Sequence, residues 1–163
     1  SPADIALVYA IPRHECHYIP SPLSRALAFG LMQLLPFLVD AIAKESKEQI
    51  RYEDMFKPEK NIEYSLKHLN WMKKTIHHPL FIAYGYNGGT GFLRRHLATG
   101  AFNNGKYEPY LSMEMMGNSQ TREYGKKVLS NYVMYKRILG EEVSISNIFE
   151  NAIRSNDLPH SQG

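Results

Sequence analysis

The sequence has little with which to staple itself. It holds one cysteine, Cys16, among 163 residues, so an intrachain disulfide is excluded. A lone thiol fits a reducing compartment or an oxidising one equally well. Long apolar runs are missing too. The longest, Phe29 to Val39, is interrupted by Gln33 and Pro36 and falls short of the ~20 residues a membrane helix needs. Strand-like alternation never persists beyond about four residues. Charge of one sign is scarce: Lys and Arg number 19 against 16 Asp and Glu, a net of +3. The cations are scattered, as in Arg94-Arg95, Lys126-Lys127 and Lys136-Arg137. A nucleic-acid binder would gather them on one face, so that partner class is set aside. The opening Ser1-Pro2-Ala3-Asp4 lacks the basic start and apolar stretch of a secretory leader. A start inside an amphipathic segment is expected of a domain cut from a longer parent.

What the sequence does have is helical periodicity. Ile5, Val8, Ile11 and Glu15 recur at spacings of three and four, one face of a helix over 4–18. Pro12 should kink it one turn before Glu15. Residues 19–28, punctuated by Pro and Ser, read as loop, and helix resumes over 30–43, bent or broken at Pro36. Over 61–76, Ile62, Leu66, Leu69, Met72 and Ile76 form an apolar stripe opposite Lys67, Lys73 and Lys74, an amphipathic helix ended by His77-His78-Pro79. Residues 80–86 make a short apolar helix broken by Gly88-Gly89-Thr90-Gly91, 92–99 another stopped by Gly100, and Asn103-Asn104-Gly105 a turn. A last helix over 121–139 carries Tyr124, Val128, Tyr132, Tyr135 and Leu139 on one stripe, with Gly140 as its stop. The tail beyond Ser155 is expected to be flexible. The expected organisation is a mainly helical domain over 1–140 with a C-terminal extension over 141–163.

Glu15 stands out chemically. It follows Val8 by seven residues and so points almost where Val8 points, toward the core. Loss of hydration there raises a carboxyl pKa, and a carboxylic acid kept protonated near neutral pH can protonate a leaving oxygen. A glutamate at a helix end, hydrogen-bonded to backbone, would fit the same pattern. Ligand-type side chains in His14-Glu15-Cys16-His17 lack the H-E-x-x-H spacing that puts two histidines on one helix face. No metal site and no cofactor is therefore expected. The Gly88–Gly91 loop lacks the Lys of a phosphate-binding loop, and Cys16 has no third residue to orient a Cys–His pair.

The stretch 15–36 reads E-C-H-Y-I-P-S-P-L-S-R-A-L-A-F-G-L-M-Q-L-L-P. It resembles the signature of the soluble lytic transglycosylases of the Slt type, glycoside hydrolase family 23. Glu15, Tyr18, Pro20, Ser24, Gly30-Leu31-Met32-Gln33-Leu34 and Pro36 fall at that family's spacing. Three further segments are similar to its elements in order and distance: Phe56 to Ile62, Ala83 to Gly91, and Glu114 with Ser119 to Tyr124 and Val128-Leu129. The resemblance implies a lysozyme-like fold and a cell-wall enzyme acting on peptidoglycan glycan strands, periplasmic because its substrate is. It implies Glu15 as the single acid/base, Ser24 as the residue that positions the sugar, and Met32, Gln33, Tyr86, Asn87 and Glu114 as groove residues. Each also has a plainer reading: Met32 as core, Asn87 as a turn residue, Tyr86 as packing. Departures fall at Cys16 and His14, where the family has Ser and Gln, at Thr90 for Pro, at Gly117-Asn118 for Pro-Phe, and at Gln120 for Glu. A goose-type muramidase using Glu114 to hold water, and a non-catalytic glycan-binding module, are the alternatives.

Overall fold

The computed structural model describes residues 22–23, 34 and 36–159. The regular elements among these residues are helices, without a strand. The expected helix over 4–18 lies outside the described residues. Pro22 and Leu23 are helical, which corrects the loop expected over 19–28 at those two positions, the others lying outside the described residues; a proline in a first helical turn gives up no intrahelical hydrogen bond. The same chemistry recurs along the chain. Helix α1 (Pro36–Glu45) begins on Pro36, with Leu34 outside it, the break rather than the bend expected there. Helix α2 (Pro58–Met72) has Pro58 in its first turn and starts three residues earlier than the apolar stripe alone indicates. Between them lies a 3-10 turn, Tyr52–Phe56. Its Asp54 carboxylate accepts from the Arg51 backbone at 3.1 Å and from Lys57 Nζ at 3.1 Å.

Helix α3 (Pro79–Gly88) is apolar all round, and its residues from Leu80 to Tyr86 are all buried. A helix of that kind belongs at the centre of a fold. Its N-terminus is closely satisfied. His78 Nδ1 accepts the Leu80 N–H at 3.1 Å, and the opposite ring nitrogen donates to the Ile148 carbonyl at 2.8 Å. The Asp157 carboxylate accepts the His77 N–H at 3.0 Å and the His78 N–H at 2.8 Å. Orphan amides at a helix start need such acceptors. Gly89, at φ 92°, closes α3 in a conformation that residues with a Cβ seldom adopt. Helix α4 (Thr90–Ala98) follows at once.

The remainder wraps this centre. Helix α5 (Tyr110–Glu114) is one turn long. Helix α6 (Ser119–Ile138) is capped by Asn118, whose side chain accepts the Thr121 N–H at 3.1 Å. Among the described helices its contact with α3 is the most extensive. Gly125 permits this: a Cβ there would run into the ring of Tyr84 and meet Leu80 at 3.2 Å. Helix α7 (Ile145–Asn151) and a 3-10 turn, Ala152–Arg154, are the last regular elements among the described residues. Ala152 and Leu158 are fully buried in the same core cluster as Leu80 and Val128. The stretch expected to be a flexible tail is thus anchored as far as Leu158, by that burial and by the Asp157 bonds. A smaller cluster of Val39, Ile42, Ala43 and Tyr64 joins α1 to α2.

Candidate functional site

Of the seven residues singled out from the sequence, Glu15, Ser24, Met32 and Gln33 lie outside the described residues. Tyr86, Asn87 and Glu114 are described. Tyr86 and Asn87 occupy the last turn of α3, where the tight crossing with α6 holds them. Thr121 Oγ1 donates to Asn87 Oδ1 at 2.8 Å, and Thr121 is itself fully buried and fixed by the Asn118 cap. With its oxygen engaged, Asn87 keeps its amide N–H groups as donors. Asn87 is a turn-proximal residue held by a specific bond.

Tyr86 is buried, and its hydroxyl has no hydrogen bond of ordinary geometry. The Ser65 hydroxyl is near enough only to offset slightly the upward push that burial gives the phenol, which stands at about 12. Tyr124, one turn along α6 from Thr121, shares that condition. Its hydroxyl is also buried without a partner, and burial first, then the neighbouring Tyr86, push its phenol well up. Tyr84 adds a third such hydroxyl. Buried polar groups are paired in roughly nine cases in ten. Three buried hydroxyls without a hydrogen-bond partner among the described residues thus lie at one helix crossing, that of Tyr86 with the Ser65 hydroxyl nearby.

Glu114 is arranged differently. It is exposed, with Lys126 Nζ at 2.6 Å from its Oε1. That hydrogen bond, and the attraction of the same ammonium, hold its carboxyl below the usual range. Lys126 lies five residues beyond Thr121 on α6, ~140° around the helix at ~100° per residue. Glu114 and Asn87 thus contact different faces of α6. Glu114 borders a cavity of about 720 Å³ shared with Tyr110, Leu111 and Arg154. Among the described residues no cluster of His, Cys, Asp or Glu could hold a metal ion, and no helix is long and apolar enough to cross a membrane.

Sequence reasoning named Tyr86 and Asn87 but passed over Tyr84, and it left Thr121 and Tyr124 with structural readings. The available signal was Asn118 as an N-cap. It places Thr121 at the third helical position, and so fixes which face of α6 Thr121 and Tyr124 share.

The fold and this crossing define a mainly helical domain whose central helix ends in a tyrosine- and asparagine-bearing site. Residues 3–108 match the family described as Transglycosylase SLT domain. The chain belongs to that family. It is similar to the soluble lytic murein transglycosylase of Salmonella typhimurium, 27% identical over 87% of this chain, and to that of Escherichia coli K12, 27% over 86%. A putative soluble lytic murein transglycosylase of Haemophilus influenzae is 33% identical over 80% of this chain. In each case the match spans 22% of the relative's own length.

Proposed function

We propose that this chain is the catalytic domain of a peptidoglycan lytic transglycosylase, part of a longer periplasmic protein. It would cleave the β-1,4 bond between N-acetylmuramic acid and N-acetylglucosamine with formation of a 1,6-anhydromuramoyl end. The observation that carries this reading is the family match over residues 3–108. It takes in Glu15 and the Gly30-Leu31-Met32-Gln33 element as well as Tyr86 and Asn87.

In this reading protonated Glu15 gives its proton to the bridging oxygen as the bond to the muramoyl C1 breaks, releasing the 4-hydroxyl of N-acetylglucosamine. The Glu15 carboxylate then takes the proton of the muramoyl C6 hydroxyl, whose oxygen closes onto C1. Glu15 ends protonated, no water is consumed, and no second carboxylate is needed, unlike the usual paired scheme. An internal hydroxyl competes with solvent because its effective concentration is far higher. Ser24, Met32 and Gln33 would line the groove beside Glu15. Tyr86 and Asn87 would supply hydroxyl and amide donors, which suits their unpaired and half-paired state. Glu114, neutralised by Lys126, is poorly placed to act as a second catalytic acid, which weighs against the muramidase alternative.

Digestion of purified sacculi tests this. Mass spectrometry should find anhydro-ended muropeptides, and hydrated ends alone would overturn it. Glu15→Gln should abolish lysis while sacculus binding persists. Undiminished lysis would remove Glu15 from its role.

A further inference from the structure

Helices α1 and α2 enclose a cavity of about 630 Å³ that no assigned residue lines. Its floor is apolar, formed by Leu38, Ala41 and Ile42, and its wall carries Trp71, the chain's single tryptophan, 47% exposed. His68 lines it as well. That residue is only 6% exposed and stacks on Trp71 at 6.1 Å between ring centroids. Its ring nitrogens take no hydrogen bond from the described residues. On its other side His68 packs against Tyr86, ring centroids 5.4 Å apart. One imidazole therefore separates this cavity from a residue of the candidate site.

We propose that this cavity binds an N-acetylated amino-sugar ring of the glycan strand, an extension of the groove along α2; the substrate class rests on the function proposed above. An indole face half open to solvent suits the C–H face of a pyranose, since both are apolar surfaces of similar size. The aliphatic floor suits an acetyl methyl. A few convergent polar groups then fix orientation, as in small-ligand pockets generally. His68, which lines the cavity, presents an imidazole for which no hydrogen bond to a described residue is seen. The charge balance selects a neutral ligand. Lys67 is engaged by Ser46 Oγ at 2.9 Å and Glu63 at 3.2 Å, and the remaining charged lining residues, Lys74 and Glu45, are one of each sign. A carboxylate-bearing peptide would gain one cation and meet one anion.

The single tryptophan makes the test direct. Full-length chain carrying Glu15→Gln, to block turnover, is titrated with N-acetylglucosamine tetrasaccharide while Trp71 emission is followed. A saturable shift is expected. His68→Phe, which keeps a ring between Trp71 and Tyr86 but removes the N–H, should weaken the apparent affinity about tenfold with an unchanged melting temperature. If His68→Phe does not fold, Trp71→Ala, at an exposed position, replaces it, with binding read by calorimetry; a marked loss of affinity is expected. No emission change, or tetrasaccharide binding unaffected by Trp71→Ala, would overturn the inference. So would a response to free stem peptide without one to the sugar. Anhydro products from sacculi with a silent Trp71 would sink the cavity alone. A saturating Trp71 signal without anhydro products would sink the catalytic reading alone.

Discussion

Tyr64 and Tyr84 are both fully buried phenols, yet the two ends of the molecule treat them in opposite ways. At the α1–α2 end, Tyr64 donates its hydroxyl to Glu48 at 2.9 Å, and Lys60 and Lys67 sit over its ring at 5.8 and 5.3 Å. Burial first, and the Glu48 bond second, lift its phenol to about 12. At the α3–α6 crossing, the hydroxyls of Tyr84, Tyr86 and Tyr124 have no hydrogen-bond partner among the described residues. An unpaired buried hydroxyl works against folding, because its hydration is lost without replacement. The first region is built for stability. The second carries buried hydroxyls that no described residue satisfies.

The sharpest way to break this comparison is at the crossing itself. Gly125→Leu has to displace the Tyr84 ring and Leu80, and should cost about 2–3 kcal/mol, as overpacked cores do. A denaturation midpoint equal to that of the parent would show that α3 and α6 are not packed this closely. Asp157→Ala removes the acceptor of two backbone N–H groups at the start of α3 and should cost about 2 kcal/mol. Unchanged stability would free the C-terminal segment from the fold.

The tyrosines themselves separate the two regions. Tyr64→Phe should lose about 1 kcal/mol, the ordinary net worth of a hydrogen bond. Tyr84→Phe should be neutral or slightly stabilising, since no bond is lost. Tyr86→Phe should leave stability unchanged but lower turnover of sacculi. Equal losses at all three positions would erase the distinction between the two ends.

Acid gives the smallest and most gradual effect. Burial lowers the pKa of His68, His78 and His96 below 6.5, so between the folded and unfolded values the unfolded chain binds more protons. Stability is then complete above pH 6.5 and falls as the pH drops below it. His78 has a structural reason to dominate: a proton on Nδ1 ends its acceptance of the Leu80 N–H. Glu48 and Glu114, both lowered by their hydrogen bonds, Tyr64 first for Glu48 and Lys126 for Glu114, add a further loss only as the pH falls below 4.5. Denaturation midpoints that hold steady from pH 7.5 to 5.5 would contradict the histidine contribution.

Much of the helical order was legible in the sequence, for physical reasons that particular residues make plain. Of the expected stripe, Leu69 and Met72 are buried as their spacing demands, Ile62 and Leu66 are only partly so, and Ile76 is buried beyond the end of α2, which stops at Met72. The apolar run 80–86 became the central helix because a helix with no polar face has nowhere else to go. What misled was proline. Pro22 lies in a helix and Pro79 begins one, where local punctuation alone reads as loop or as the end of the preceding helix. The anchoring of residues 155–158 was hidden as well, since it depends on Asp157 meeting amides some eighty residues away. At the site, Tyr86 and Asn87 were found through family spacing. The unpaired hydroxyl of Tyr84 could not be, because whether a buried group has a partner is a property of packing and not of pattern.

The most direct measurement is digestion of sacculi in water enriched in oxygen-18. If the muramoyl C6 oxygen closes onto C1 as Glu15 takes its proton, the new ends carry no heavy oxygen and each product is one water lighter than a hydrolysis product. Heavy oxygen at every new reducing end would mean that water, not the sugar's own hydroxyl, completes the reaction.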